Sequence, residues 1–313
     1  MVHTLVAALV SAAITLMAPA ILLPTMTQEP AILIVDQPQQ EENIRLKIEE
    51  QIETIPMQEY LVGVVLAEMP ASFHLQALKA QAVAARTFAA GKILKGKHDD
   101  CDICADSSCC QAWSDPETAA QKLGQSWQMY LDKVKQAVHE TQGQVLTYEG
   151  ELIEAVYFSC SGGKTEDAVA VWGSEVPYLR SVDSAGEEMA AKYTSRKIFT
   201  AQELRQRLSP HGARLDGKPE IWFGKAEYTR GGGVAQIVVG GQTFTGTQLR
   251  SILGLNSAMF TVSVSDDEIV FHVQGYGHRV GMSQYGANAM AEQGYDYKEI
   301  LSHYYTDVQI ERR

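Results

Sequence analysis

The chain has no basic surplus. Its 26 Lys and Arg stand against 38 Asp and Glu, a net charge of −12, which excludes a general nucleic-acid or anionic-membrane binder because no cationic excess is there to displace counterions from phosphate. Any anionic substrate must find a local basic patch. Charge of either sign is missing from Val2 to Gln28, a stretch long enough to cross a hydrocarbon core as a helix. Also missing is the basic region that opens a secretory signal, so residues 1–27 read as a retained single-pass membrane anchor, although Ala18-Pro-Ala20 has the small-x-small spacing of a cleavage site. The short cytoplasmic end places the bulk of the chain outside. Residues 28–43, with Pro30, Pro38, Gln37, Gln39 and Gln40, read as a tether with a brief strand at Ile32–Val35.

Cysteine is scarce and unevenly spread: four of the five lie between Cys101 and Cys110. The glycine-rich Ser159-Cys-Ser-Gly-Gly-Lys-Thr165 lacks Walker spacing, which argues against a nucleotide site. Cys160 has no neighbouring cysteine; a thiol nucleophile would need an oriented histidine, with His278 as the candidate, and a passive small side chain is the better reading.

What is present is an ordinary globular composition, 45% hydrophobic and 20% charged over 313 residues, enough for one elaborated domain or two small ones. It is organised around Tyr60-Leu-Val-Gly-Val-Val-Leu-Ala-Glu68-Met-Pro-Ala-Ser72. Met57, Leu61, Val64 and Glu68 fall on one helical face, so the carboxylate continues a row of core residues. Pro70 ends the helix near Met69, leaving Glu68 at the negative end of the dipole. Desolvation and dipole both raise a carboxyl pKa, which suits a general acid. The alternative is a glutamate that merely reaches solvent at a helix end. Leu75–Ala89 is an alanine-rich second helix, with Pro70 and Ser72 as start signals and Arg86 read as structural; the pair makes a hairpin with Glu68 near its corner.

The loop His98-Asp-Asp-Cys101-Asp-Ile-Cys104-Ala-Asp-Ser-Ser-Cys109-Cys110 offers thiolates and an imidazole for zinc, or one or two disulfides. Beyond it, Thr118–His139 reads as a helix, and Gly143–Tyr148 with Leu152–Phe158 as a hairpin turning at Gly150. Val176–Asp183 reads as a continuation of the sheet, Thr200-Ala-Gln-Glu203 as a capping box, Thr247–Leu253 as a short helix, and Met259–Val264 with Ile269–Val273 as strands. Ser283–Ala291 is a helix ended by Gly294, and Asp296-Tyr-Lys-Glu299 caps the last helix. His278, Ser283, Gln284 and Tyr285 supply polar and aromatic groups suited to sugars. The expected fold class is α+β: a helical active-site hairpin packed on a mixed, mostly antiparallel sheet, with an inserted α/β subdomain at 185–246.

Two stretches carry a family resemblance. Ala67-Glu-Met-Pro-Ala-Ser72 followed by Ala77–Thr87, together with Gly275-Tyr-Gly-His-Arg-Val-Gly-Met-Ser-Gln-Tyr-Gly-Ala287, resembles the two ends of the catalytic domain of the stage II sporulation protein D (SpoIID) family. The resemblance would make 44–313 the catalytic domain. It implies zinc bound by a His-x5-Cys-x4-His-Cys pattern, which maps here onto His98, Cys104, Cys109 and Cys110, with Cys109 standing where the pattern has His and Cys101 either spare or an alternative to His98. With four protein ligands that zinc would be structural, and none is needed for catalysis. The Ser159, Ser161, Gly162 and Lys164 stretch would let a sugar approach backbone groups.

Ordinary glycosidases use two carboxylates, and the strong motifs here offer one. The resemblance resolves this by implying a peptidoglycan lytic transglycosylase. Glu68 would protonate the glycosidic oxygen between N-acetylmuramic acid and N-acetylglucosamine, then accept the C6 hydroxyl proton as a 1,6-anhydro ring closes. It further implies glycan stripped of stem peptides by the amidase SpoIIP, the membrane protein SpoIIM as partner, and action in the mother-cell membrane during engulfment in endospore formation; the charge balance leaves no nucleic acid among the partners. The alternatives are a non-catalytic cell-wall-binding amidase activator of the LytB kind and, through Cys160, an acyl-transferring thiol enzyme.

Overall fold

The computed structural model describes residues 42–265 and 268–313; the expected anchor, and the tether as far as residue 41, lie outside them. Among the described residues no helix is long and apolar enough to cross a membrane.

Strands β1 (Asn43–Ile48) and β2 (Gln51–Pro56) form an antiparallel hairpin that leads directly into helix α1 (Met57–Glu68). Met69 leaves helical geometry at φ −127° and ψ 138° before Pro70, as the steric bar on α conformation before proline requires. The next helix, α2 (Leu75–Leu94), starts later than Pro70 and Ser72 signalled: its cap is His74, whose ring accepts the Gln76 amide at 3.3 Å. Helix α2 is buried on nearly every side, with Ala77, Ala80, Ala82, Ala84, Ala85 and Ala89 each fully buried. A helix lined this way has no polar face to give to water, and it sits at the centre of the first core.

Strand β3 (Ile103–Cys104) adds to β1 in parallel. The expected helix over 118–139 is instead two, α3 (Pro116–Gln121) and α4 (Trp127–Glu140), separated by a 3-10 turn. Gly124 adopts φ +75° there, a left-handed conformation that breaks the α ladder. Arg86 is structural as read, its buried guanidinium donating to the carbonyls of Val138, Thr141 and Gln144 at the end of α4.

The hairpin turning at Gly150 is short. Strand β4 (Gln144–Tyr148) pairs with β5 (Glu151–Leu152), and the chain becomes strand again only at β6 (Tyr157–Phe158). Helix α5 (Ala168–Trp172) follows. Val176–Asp183 is not a strand; it makes one isolated bridge, Asp183 with Lys164, outside every sheet.

A second core then gathers residues between Phe199 and Val273. Its elements are β7 (Thr194–Thr200), α6 (Ala201–Leu208), β8 (Glu227–Tyr228), β9 (Val234–Val239), β10 (Gln242–Phe244), α7 (Gly246–Leu253), β11 (Phe260–Ser265) and β12 (Glu268–Gln274). Phe271 lies at its middle, 5.5 to 6.1 Å from the rings of Phe199, Phe223 and Phe260. Thr200 and Glu203 close the expected capping box on α6. The chain returns to the first core through β13 (Met282–Ser283), α8 (Gln284–Glu292), α9 (Tyr297–Tyr304) and β14 (Gln309–Arg312). The Asp296–Glu299 capping box is formed on α9.

The fold is α+β. Its strands are divided among five small, mostly antiparallel sheets; β1 with β3 and β6 with β13 are the parallel strand pairs among the described residues, and Glu166 with Val280 makes an isolated parallel bridge.

Candidate functional site

Glu68 closes α1 half-buried, where the periodicity of that helix placed it. Its Oε1 accepts one hydrogen bond, from the Ala112 amide at 2.9 Å, and it joins no ion pair among the described residues. Burial raises its pKa, and the Ala112 amide only partly opposes that rise.

Two buried phenols stand near the carboxylate. Tyr60 donates to Gln111 Oε1 at 2.8 Å, and Gln111 Nε2 donates to the Tyr157 oxygen at 2.6 Å. Burial holds both phenols well above their ordinary pKa, with the Glu68 charge a further contributor to each. Glu68 is thus set among neutral partners with one donor, an arrangement in which a carboxyl keeps its proton further toward neutrality than a solvated one.

The cysteine loop supplies that donor. Arg45 and Lys47 on β1 pair with Asp102 and Asp100 at 2.8 Å each, exposed contacts that fix register more than they stabilise. The carbonyl of Asp106 accepts the amides of Cys109 and Cys110. Donor atoms of His98, Cys104, Cys109 and Cys110 all lie within 4.8 Å of one another. Cys110 Sγ is 3.2 Å from His98 Nε2 and 3.9 Å from Cys109 Sγ. Tetrahedral zinc with thiolates at about 2.3 Å needs sulfurs about 3.8 Å apart, so one imidazole and three thiols fit that ion. Cys101 falls outside this set and groups with His98 and Asp100. All five cysteines are free thiols.

Past Cys110 the chain runs through Gln111 and Ala112 to Trp113 and Ser114, which lie on α1 at Gly63. A Cβ on Gly63 would meet Trp113 Nε1 at 2.2 Å and Ser114 O at 2.6 Å. The glycine inside α1 therefore lets the loop sit against the helix, and that contact brings the Ala112 amide to Glu68.

The other candidate sugar contacts divide into two groups. Ser159, Ser283, Gln284 and Tyr285 meet where β6 pairs with β13: the Ser159 carbonyl accepts the Tyr285 amide at 3.0 Å, and buried Ser283 caps α8 through the Gly286 amide at 3.2 Å. Gln284 is 5% exposed and reaches toward Gln81 on α2. Tyr285 meets Phe73 edge-on with centroids 4.9 Å apart, which puts it at the α1–α2 corner.

Ser161, Gly162 and Lys164 belong instead to a clasp between two loops. Ser161 is fully buried, and its amide and hydroxyl both donate to Glu187, at 2.5 and 2.9 Å. The Gly162 amide and the Ser184 hydroxyl complete the shell around that carboxylate. Arg279, buried and at φ +69°, donates to the carbonyls of Ser161, Lys164 and Gly231 and pairs with Glu166 at 3.1 Å. Lys164 Nζ lies 3.4 Å from Asp183.

His278 sits between Phe158 and Trp172, with ring centroids at 5.6 and 5.5 Å and planes tilted by 58° and 51°. Its Nδ1 accepts the Val280 amide at 3.1 Å, and burial, then the charge of Arg250, pushes its pKa down to about 4. It is a neutral imidazole holding its own turn. Cys160 is wholly buried, and burial pushes its thiol up to about 11, the opposite of an activated nucleophile.

Sequence reasoning did not single out Gln111, Ala112, Tyr157, Glu166, Glu187 or Arg279. Arg279 stood inside a quoted motif, but its partners lie up to 118 residues away, and no local pattern shows them. The consecutive small residues at 161–163, whose exposed amides need an anion, were the available sign of Glu187.

A family model described as SpoIID, stage II sporulation protein, matches residues 47–148, which include Glu68 and the cysteine loop. The chain is 42% identical over 262 residues to stage II sporulation protein D of Bacillus subtilis (strain 168), covering 83% of this chain and 75% of that protein. Its identity to stage II sporulation protein D of Bacillus amyloliquefaciens is 40% over 267 residues, with the same coverages of 83% and 75%. It is also 31% identical over 298 residues to an amidase enhancer of Bacillus subtilis (strain 168), covering 78% of this chain and 39% of that protein.

Proposed function

The chain belongs to the stage II sporulation protein D family, and on that premise we propose that it is a membrane-anchored lytic transglycosylase. Its substrate is the peptidoglycan glycan strand, cut between N-acetylmuramic acid and N-acetylglucosamine after an amidase has removed the stem peptides. The observation that carries the reading is Glu68: one acid, half-buried at a helical corner, raised in pKa and accepting a single amide.

Such a group gives its proton to the glycosidic oxygen as the C1–O bond breaks. As carboxylate it then takes the proton of the sugar's C6 hydroxyl while O6 bonds to C1, so no second carboxylate and no water is consumed. Tyr60, Gln111 and Tyr157 hold the loop that supplies Ala112, and they add no charge to compete for the proton. Zinc held by His98, Cys104, Cys109 and Cys110 would lock the loop by ligating it. Metal analysis should find about one zinc per chain, lost when Cys104 and Cys109 are changed to Ser; a metal-free native protein ends that part of the reading.

The deciding experiment is mass spectrometry of products from stem-stripped and intact peptidoglycan. Anhydro-muramic ends that require stem removal support the transglycosylase. Reducing ends mean hydrolysis with a second carboxylate. Intact glycan favours the second reading, a wall-binding amidase activator, for which the likeness to an amidase enhancer speaks.

A further inference from the structure

A cleft of about 720 Å³ lies in the second-core region, a volume in the range of pockets that hold small ligands. Its floor is the outward face of the sheet β11-β12-β7. Side chains on that sheet alternate: Phe199, Phe271 and Val273 face the second core, while Arg196, His272 and Thr261 stand in one cross-strand row. Tyr228, 55% exposed, forms part of the wall.

The row is chemically lopsided. Arg196 is directly opposite His272, and neither the described lining of the cleft nor any ion pair among the described residues gives Arg196 a carboxylate. Among the described residues no acid lines the cleft, so an anion is the partner that the row lacks. The hydroxyls of Thr194 and Thr261 and the exposed phenol ring add what a pyranose needs, hydrogen-bonding groups beside a flat apolar face. The cleft also adjoins the clasp loops. Gln274, one of its lining residues, is followed by Gly275, and a Cβ on Gly162 would strike Gln274 Cγ at 2.9 Å.

We propose that this cleft is a second glycan subsite, which takes an acidic sugar with its carboxylate on Arg196 and its ring against Tyr228. The inference rests on the glycan reading above, under which the sugar is a muramic acid unit: removal of the stem peptide frees its lactyl carboxylate. The cleft would thereby favour stripped strands over strands whose carboxyls are still amide-linked.

The test measures binding of stem-stripped strands, and of the same strands with carboxylates reduced to alcohols, to the full chain carrying Glu68→Gln so that neither is cut. The parent should bind the carboxylated strand more tightly. Arg196→Gln should weaken that binding by about tenfold, the size of one charge-assisted contact, and leave the reduced strand unaffected; Tyr228→Ala should weaken both. Both side chains are exposed, so neither change removes core. An Arg196→Gln protein that still discriminates the two strands overturns the subsite, whether or not the wild-type chain cleaves glycan. Loss of discrimination in a chain that cleaves nothing keeps the subsite and removes the transglycosylase reading.

Discussion

The α1–α2 corner and the clasp between the Ser159–Thr165 and Gly275–Gly281 loops each hold a glutamate out of solvent, and they treat it oppositely. Glu187 is 1% exposed and accepts four donors, the amide and hydroxyl of Ser161, the Gly162 amide and the Ser184 hydroxyl. Glu68 is less buried and accepts one. A carboxylate saturated with donors has its charge spoken for and serves structure; one short of donors is left to trade its proton. Burial alone does not separate the two acids; the number of donors does. The neighbouring Glu166 is bound through Oε1 alone, which pairs with Arg279 at 3.1 Å and accepts from Thr229 and Gly233, while its Oε2 is buried without a partner among the described residues.

The sharpest test of the contrast is Glu68→Gln. The amide side chain keeps the bond from Ala112 and loses the proton, so cleavage of stripped glycan should fall by about a thousandfold while circular dichroism and the unfolding transition stay native. Substantial cleavage by a folded Glu68→Gln protein would defeat the single-acid mechanism. On the clasp side, Arg279→Met strands Glu166 in the interior without its cation and leaves three carbonyls without their donor. It should cost about 3–5 kcal/mol in urea unfolding, and a cost under about 1 kcal/mol would show that the clasp is not what holds the two loops.

How much of this contrast could be read from the chain depends on distance along it. Glu68 was legible because α1 carries its own periodicity and Pro70 its own stop, both within a dozen residues. The capping boxes at Thr200 and Asp296 were legible for the same reason. The clasp was not: Glu187 and Arg279 act on Ser161 from 26 and 118 residues away. Ser161 looked like a sugar contact because its small, glycine-flanked sequence fits an approaching ligand and an approaching carboxylate equally well. The unbroken strand over 152–158 failed through tertiary pairing, because only Tyr157 and Phe158 find partners on β13. Alternation within a segment does not say whether a neighbour strand will be there.

Gly63→Ala probes the corner without touching its acid. Overpacking against Trp113 and Ser114 costs about 1–3 kcal/mol, offset by about 1 kcal/mol of helix propensity. Net destabilisation of up to about 2 kcal/mol should come with weaker cleavage, since the loop that carries the Ala112 amide is pushed off α1. Full activity in this variant would mean that the amide does not tune Glu68.

The smallest effect is the most discriminating. Burial raises the pKa of Glu68 in the folded chain above its unfolded value, so ionising it costs more folded than unfolded. Its favourable contribution is complete below the unfolded carboxyl pKa of about 4.3 and is lost as pH rises through the folded value. Gln in its place does not ionise. The Glu68→Gln protein should therefore match the parent in melting temperature near pH 4 and exceed it by about 2 °C at pH 7. Cleavage by the parent should decline over the same rise in pH, because the proton that Glu68 donates is the one being lost. A Glu68→Gln protein less stable than the parent at pH 7 would mean that the fold stabilises the carboxylate form of Glu68, the opposite of what an acid that holds its proton requires.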